Sequence, residues 1–151
     1  MRALLAGAVI ILLMPVAALA AEPNSRAEDG EAIRRTALDY IEGWYTKDPV
    51  RMERALHPQL IKRRVGVDTE RKQSYLDEGS GLRLVQGTRP VPGRTVPPLG
   101  KQRRDVTILD IEGNAATVKV DADDWVDYLH VVKWNGEWKI LNVLWELRPQ
   151  Q

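Results

Sequence analysis

The chain has 151 residues, 44% of them hydrophobic and 28% charged, which suits one ordinary globular domain. With 22 Lys and Arg against 21 Asp and Glu, it lacks the basic surplus that binding nucleic acid requires. It has no cysteine, which excludes disulfides, a cysteine-linked lipid anchor and a cysteine nucleophile, so the core alone must hold the fold.

Met1-Arg2 gives a short positive start, Ala3 to Leu13 is almost unbroken apolar, and Ala18-Leu19-Ala20 fits the A-x-A rule for signal peptidase. Residues 1–20 are therefore expected to be an export signal cleaved before Ala21. The cleavage site disfavours the alternative of an uncleaved anchor. No other apolar run has spanning length, so the mature chain is expected in the periplasm or the medium, without membrane contact. Cleavage removes only Arg2 among the charges and leaves a mature chain of zero formal charge.

Residues 21–30 are polar with Pro23 and Gly30, and read as a flexible lead-in to a domain over 31–148. A first helix is expected from about Glu31 to Tyr45, because Ile33, Ala37, Tyr40, Ile41 and Trp44 recur at helical spacing. Asp48-Pro49 starts a short second helix, with Asp48 as N-cap, which stops before His57-Pro58. Gln59 to Val67 reads as a strand, and Lys62, Arg63 and Arg64 would make it a solvated or edge one. Asp68 or Thr69 would cap a third helix to about Glu78, ended by Gly79 and Gly81. Residues 86–100 are rich in proline and glycine without period, and read as a long loop.

The remaining sequence reads as four strands. Gly113-Asn114 lies between Arg104–Glu112 and Ala115–Ala122, and Asn135-Gly136 lies between Trp125–Trp134 and Glu137–Leu147. Both are two-residue hairpin turns, which set the register. Unbroken pairing would set Val131 opposite Ile140, Leu129 opposite Asn142 and Asp127 opposite Leu144. In the earlier hairpin it would set Ile111 opposite Ala116, Leu109 opposite Val118 and Thr107 opposite Val120. An even turn at Asp123-Asp124 then puts Val120 beside Asp127. Asp127 and Asn142 would face the apolar side of the sheet, and His130 would face away. A slip of one residue would reverse these assignments. Helices followed by an antiparallel meander imply an α+β fold. The apolar outer face of the last two strands suggests a homodimer.

Asp121 to Glu146, DADDWVDYLHVVKWNGEWKILNVLWE, resembles the closing hairpins of the nuclear-transport-factor-2-like superfamily, and specifically its lumazine-binding group. Tyr40-Ile41-Glu42-Gly43-Trp44, His57-Pro58, Gly87-Thr88-Arg89 and Arg104–Asp110 extend the resemblance over about residues 30–147. The export signal and the insert at Pro90 to Pro98 depart from the pattern. The resemblance implies a conical, curved antiparallel sheet wrapped on N-terminal helices, with a cavity at the open end. Relatives include ketosteroid isomerases, polyketide cyclases and scytalone dehydratase, beside members that only bind, so the fold alone selects no activity.

Candidate site residues follow from these placements. An inward Asp127 could serve as acid or base, or simply bond backbone at a strand end. Tyr40 could polarise an oxyanion, or be core with a polar tip. Asn142 could orient a ligand carbonyl, Trp44 and Trp138 could wall the cavity, and His57 could contact ligand or cap helix carbonyls. The two histidines have no ligand spacing, so no metal is expected, and nothing calls for a cofactor. Three functions remain open: a binding domain for a small apolar molecule, a cofactor-free isomerase, cyclase or dehydratase using Asp127, and a dimerisation module whose cone is filled by Trp44, Trp125 and Trp138.

Overall fold

The computed structural model describes residues 23–96 and 98–149. Among the described residues, three helices, α1 (Pro23–Thr46), α2 (Pro49–Ala55) and α3 (Gly81–Gly87), accompany six strands. The strands are β1 (Leu56–Asp68), β2 (Gln73–Ser80), β3 (Arg104–Glu112), β4 (Ala115–Ala122), β5 (Trp125–Trp134) and β6 (Glu137–Leu147). They form one sheet in the order β2-β1-β6-β5-β4-β3, antiparallel except where β1 runs parallel to β6. The architecture is α+β, a curved and unclosed sheet around helices. The proposed signal over residues 1–20 lies outside the described residues.

The last four strands and Asp48 at the N-cap of α2 fall where the sequence puts them. The Asp48 carboxylate accepts from the Val50 and Arg51 amides, both at 3.0 Å. Three expectations need correction. The lead-in is helical from Pro23, and Asp29 within it accepts from Lys133 Nζ and Trp138 Nε1, which ties this end of α1 to the sheet. Residues 69–78 form no third helix. Asp68 instead caps a turn, accepting from the Glu70 and Arg71 amides, and the chain returns as β2. Nor is β1 an edge: it lies between β2 and β6, with Lys62 opposite Val143. The half-exposed Tyr75 ring lies over Gly66, where a Cβ would stand 2.2 Å from it and displace the ring.

Buried positions alternate along β4 and β5, as expected of strands with one face on a core. Val118, Val120, Leu129 and Val131 are fully buried, against Ile33, Ala37, Tyr40 and Ile41 of α1. Each large aliphatic side chain so buried contributes about 1.5–3 kcal/mol. The junction keeps the expected parity, pairing Val120 with Asp127 and Val118 with Leu129.

Two bulges alter the rest of the register. In β3, Ile108 pairs with Val118 and Asp110 with Thr117, so Leu109 is skipped and left exposed. In β6, Val131 pairs with Ile140 but His130 pairs with Asn142, so Leu141 is skipped. Leu129 therefore meets Val143, and Asp127 meets Trp145. The extra residue carries Asn142 and Leu144 to the outer face and brings Val143 and Trp145 inward. Bulges bend a strand and increase its twist, which curves this sheet around the helices.

The bulge makes a direct prediction. Val143→Asn places an amide in the core and is expected to cost at least about 2 kcal/mol, whereas Asn142→Val is expected to change stability by less than about 0.5 kcal/mol. Urea unfolding of the two variants measures both, and the unbroken register predicts the opposite ranking.

Candidate functional site

Four elements bring one polar cluster to the inner end of the cone. Asp127 shares the buried face of β5 with Leu129 and Val131. Trp125, two residues earlier, lies on that face too. Tyr40 projects from α1, one turn after Ala37 and one turn before Trp44. Lys62 comes from β1 on the same face as the buried Leu60. Trp145 joins them because the bulge at Leu141 turns it inward.

The Asp127 side chain is wholly buried and accepts three hydrogen bonds. Lys62 Nζ donates to Oδ1 at 2.6 Å, while Tyr40 Oη donates to Oδ2 at 3.2 Å and Trp125 Nε1 to Oδ2 at 2.7 Å. Lys62 Nζ also donates to Tyr40 Oη at 2.6 Å, and lies 4.9 Å from the centre of the Trp145 ring. The ammonium therefore has a carboxylate, a hydroxyl and an aromatic face around it. Among the described residues, no buried side-chain nitrogen or oxygen lacks a hydrogen-bond partner.

Burial governs the ionisation of this group. It pushes the Tyr40 hydroxyl well above the usual tyrosine range, and the adjacent Asp127 charge and hydrogen bond push the same way. Lys62 is lowered from the ordinary lysine value, since desolvation of its ammonium outweighs the attraction and hydrogen bond of Asp127. Removing one partner of such a buried pair costs about 3–5 kcal/mol, because the other charge is left uncompensated.

Above the cluster is an open cavity of about 760 Å³. Tyr40 and Lys62 contribute its polar floor. Trp44 with Leu84 and Gly87 of α3 makes one wall, and Trp125, Trp145 and Leu147 make another. Gly87 lets the Trp44 ring approach α3 closely, since a Cβ there would lie 3.3 Å from it. Toward solvent the lining is charged and carries both signs, with Asp77 paired to Arg64 and Glu78 to Arg63. The tryptophans of the cavity line it rather than fill it.

Of the residues singled out from the sequence, Tyr40 and Trp44 line the cavity, and Asp127 lies behind its floor with no exposed surface. The other three are elsewhere. Asn142 is on the outer face opposite His130, for the reason given by the bulge. His57 is buried at the start of β1, where its Nδ1 accepts from the Gln59 amide at 3.1 Å and its ring meets Trp134 edge-on. Trp138 is bonded to Asp29 near the start of α1. Lys62 was hidden in the basic run Lys62-Arg63-Arg64, which reads as solvated. Its parity with Leu60 and the need of an inward Asp127 for a counter-charge are the signals that point to it. Among the described residues, no group of His, Asp and Glu could hold a metal ion.

The model of the family described as "Putative lumazine-binding" matches residues 28–146. Solved structures of similar fold include an NTF2-like protein of unknown function from Shewanella baltica OS155, at 23% identity and a TM-score of 0.60. That match covers 82% of this chain and 97% of the other. An NTF2-like protein of unknown function from Methylobacillus flagellatus KT has 18% identity and a TM-score of 0.63, covering 81% and 94% of the two chains. A third, from Silicibacter pomeroyi DSS-3, has 18% identity and a TM-score of 0.59, with coverage of 82% and 98%. No curated protein matches the chain. At these identities the solved structures speak to the fold alone. The family match spans most of the sequence, and the chain belongs to the "Putative lumazine-binding" family, with an NTF2-like fold.

Proposed function

We propose that the cone binds a small, planar, largely apolar molecule carrying a carbonyl-type oxygen. The observation that supports this most strongly is the Lys62 and Tyr40 floor set beneath aromatic walls, inside a charged rim. Lys62 has three ammonium hydrogens, of which two are committed to Asp127 and Tyr40. The third is the donor best placed for a ligand oxygen, while Trp44, Trp125 and Trp145 offer flat surfaces for a ring. Because Asp127 balances Lys62, the floor has no net charge, which favours a neutral acceptor over a carboxylate.

Direct acid or base chemistry by Asp127 is the weaker reading. Lys62 and Tyr40 supply the further ionisable groups that such an enzyme needs, but they stand between the carboxylate and the cavity. A ligand would have to displace a salt bridge to reach it. On this reading Asp127 is a positioning residue that fixes the Lys62 ammonium and the Tyr40 hydroxyl. A purely structural cone does not fit an open cavity of about 760 Å³.

The export signal read at Met1 to Ala20 extends the proposal to binding in the periplasm or the medium. A homodimer through the outer sheet face belongs to it as well, since Tyr128 and Leu144 are paired and exposed there. Sedimentation is expected to give a dimer that Tyr128→Asp converts to monomer; a monomeric parent chain would remove this element.

Tryptophan fluorescence titration with planar carbonyl compounds tests the binding itself. Quenching is expected, and Leu84→Trp, which fills the cavity from α3, is expected to weaken it by at least about tenfold without loss of thermal stability. The same titration against pH is expected to hold through neutrality and decline on the alkaline side. The sign follows from the lowered Lys62 value: the ammonium donor is lost as pH rises, with a midpoint below the ordinary lysine value of 10.5. Unchanged affinity in Leu84→Trp would place binding outside the cone.

A further inference from the structure

We propose that Lys62 is a covalent attachment site for aldehydes, its amine condensing with a planar aldehyde held in the cone to give an imine. This deepens the binding reading and rests on it. Lys62 is the one lysine that lines the cavity among the described residues. Its side chain belongs to the cavity lining and is only 14% exposed, so it is reached from the cavity but screened from bulk water. A buried lysine is readily supplied as the free amine that attacks carbonyl carbon, and burial has already lowered this one.

The neighbouring groups balance the reaction. Lys62 passes one proton along the 2.6 Å hydrogen bond to Asp127 Oδ1, leaving a neutral amine beside a neutral carboxyl. The nitrogen lone pair forms the C–N bond as the carbonyl π pair moves to oxygen. Transfer of a second proton from nitrogen to that oxygen gives the carbinolamine. Tyr40 Oη then gives its proton to the carbinolamine hydroxyl and is resupplied with the proton held by Asp127, the C–O bond breaks, water leaves, and the nitrogen lone pair completes the C=N bond. The protonated imine carries the same single positive charge as the original ammonium, so the buried carboxylate has a counter-ion before and after the reaction, and both groups are neutral in between. Tyr40 Oη, bonded to both Lys62 Nζ and Asp127 Oδ2, bridges the two ends of this proton path. No oxidant, reductant or further reactant is needed.

The probe is 2-naphthaldehyde, with 2-naphthalenemethanol as a companion of the same ring that cannot condense. The parent protein is incubated with the aldehyde and cyanoborohydride, and the modified lysines are mapped by mass spectrometry over time. The expected result is reduction-stable labelling of Lys62 at least about tenfold faster than of any other lysine. The alcohol in excess is expected to protect Lys62 and spare the surface lysines. If the alcohol quenches tryptophan fluorescence but Lys62 labels no faster than surface lysines, the imine is overturned and the binding reading stands. If neither compound quenches and Lys62 is not labelled selectively, both are overturned.

Discussion

The interaction on which this molecule turns is the salt bridge between Lys62 and Asp127 at the inner end of the cone. A carboxylate with no exposed surface is intolerable without compensation, since desolvation of an isolated charge costs several kcal/mol even after relaxation. Three donors from three different elements meet it: an ammonium from β1, a hydroxyl from α1 and an indole N–H from β5 itself. The cluster therefore joins the first helix to strands that are far apart in sequence. It also places one cation, already neutralised, at the floor of an aromatic cavity.

That arrangement separates two roles which the fold can combine. Asp127 holds and is held; the groups that face the cavity are Lys62 and Tyr40. On the proposed reading, a neutral floor with one spare donor would recognise oxygen without demanding negative charge, and the tryptophan walls would supply most of the contact area. Curvature makes this geometry available. The bulge at Leu141 turns Trp145 inward beside Lys62, so one inserted residue decides part of the cavity wall, while the bulge at Leu109 lets β3 follow the bend.

Much of this was legible in the chain. Hairpin turns such as Asn135-Gly136, flanked by alternating apolar residues, fix strand limits locally, and the four C-terminal strands follow from them. The inward direction of Asp127 depended only on even spacing across the Asp123-Asp124 turn, which the structure keeps. Bulges leave composition and turn residues untouched and shift only what lies beyond them, which is why a register counted from the turn alone puts Asn142 on the wrong face. The hairpin of β1 and β2 was lost for a different reason. Asp68 caps a turn with the same side-chain bonds that start a helix, so a local signal had two meanings. Lys62 was concealed by its neighbours: three consecutive basic residues read as solvent-facing, and only the position of β1 between β2 and β6 gives alternate members opposite fates.

A double-mutant cycle on Lys62→Met and Asp127→Leu, followed by urea unfolding, tests the central claim most directly. Each single change is expected to cost about 3–5 kcal/mol, because it strands a buried charge. The double variant is expected to recover at least about 2 kcal/mol relative to the sum of the two. Additive losses under about 1 kcal/mol each, the behaviour of a solvent-exposed pair, would contradict the account.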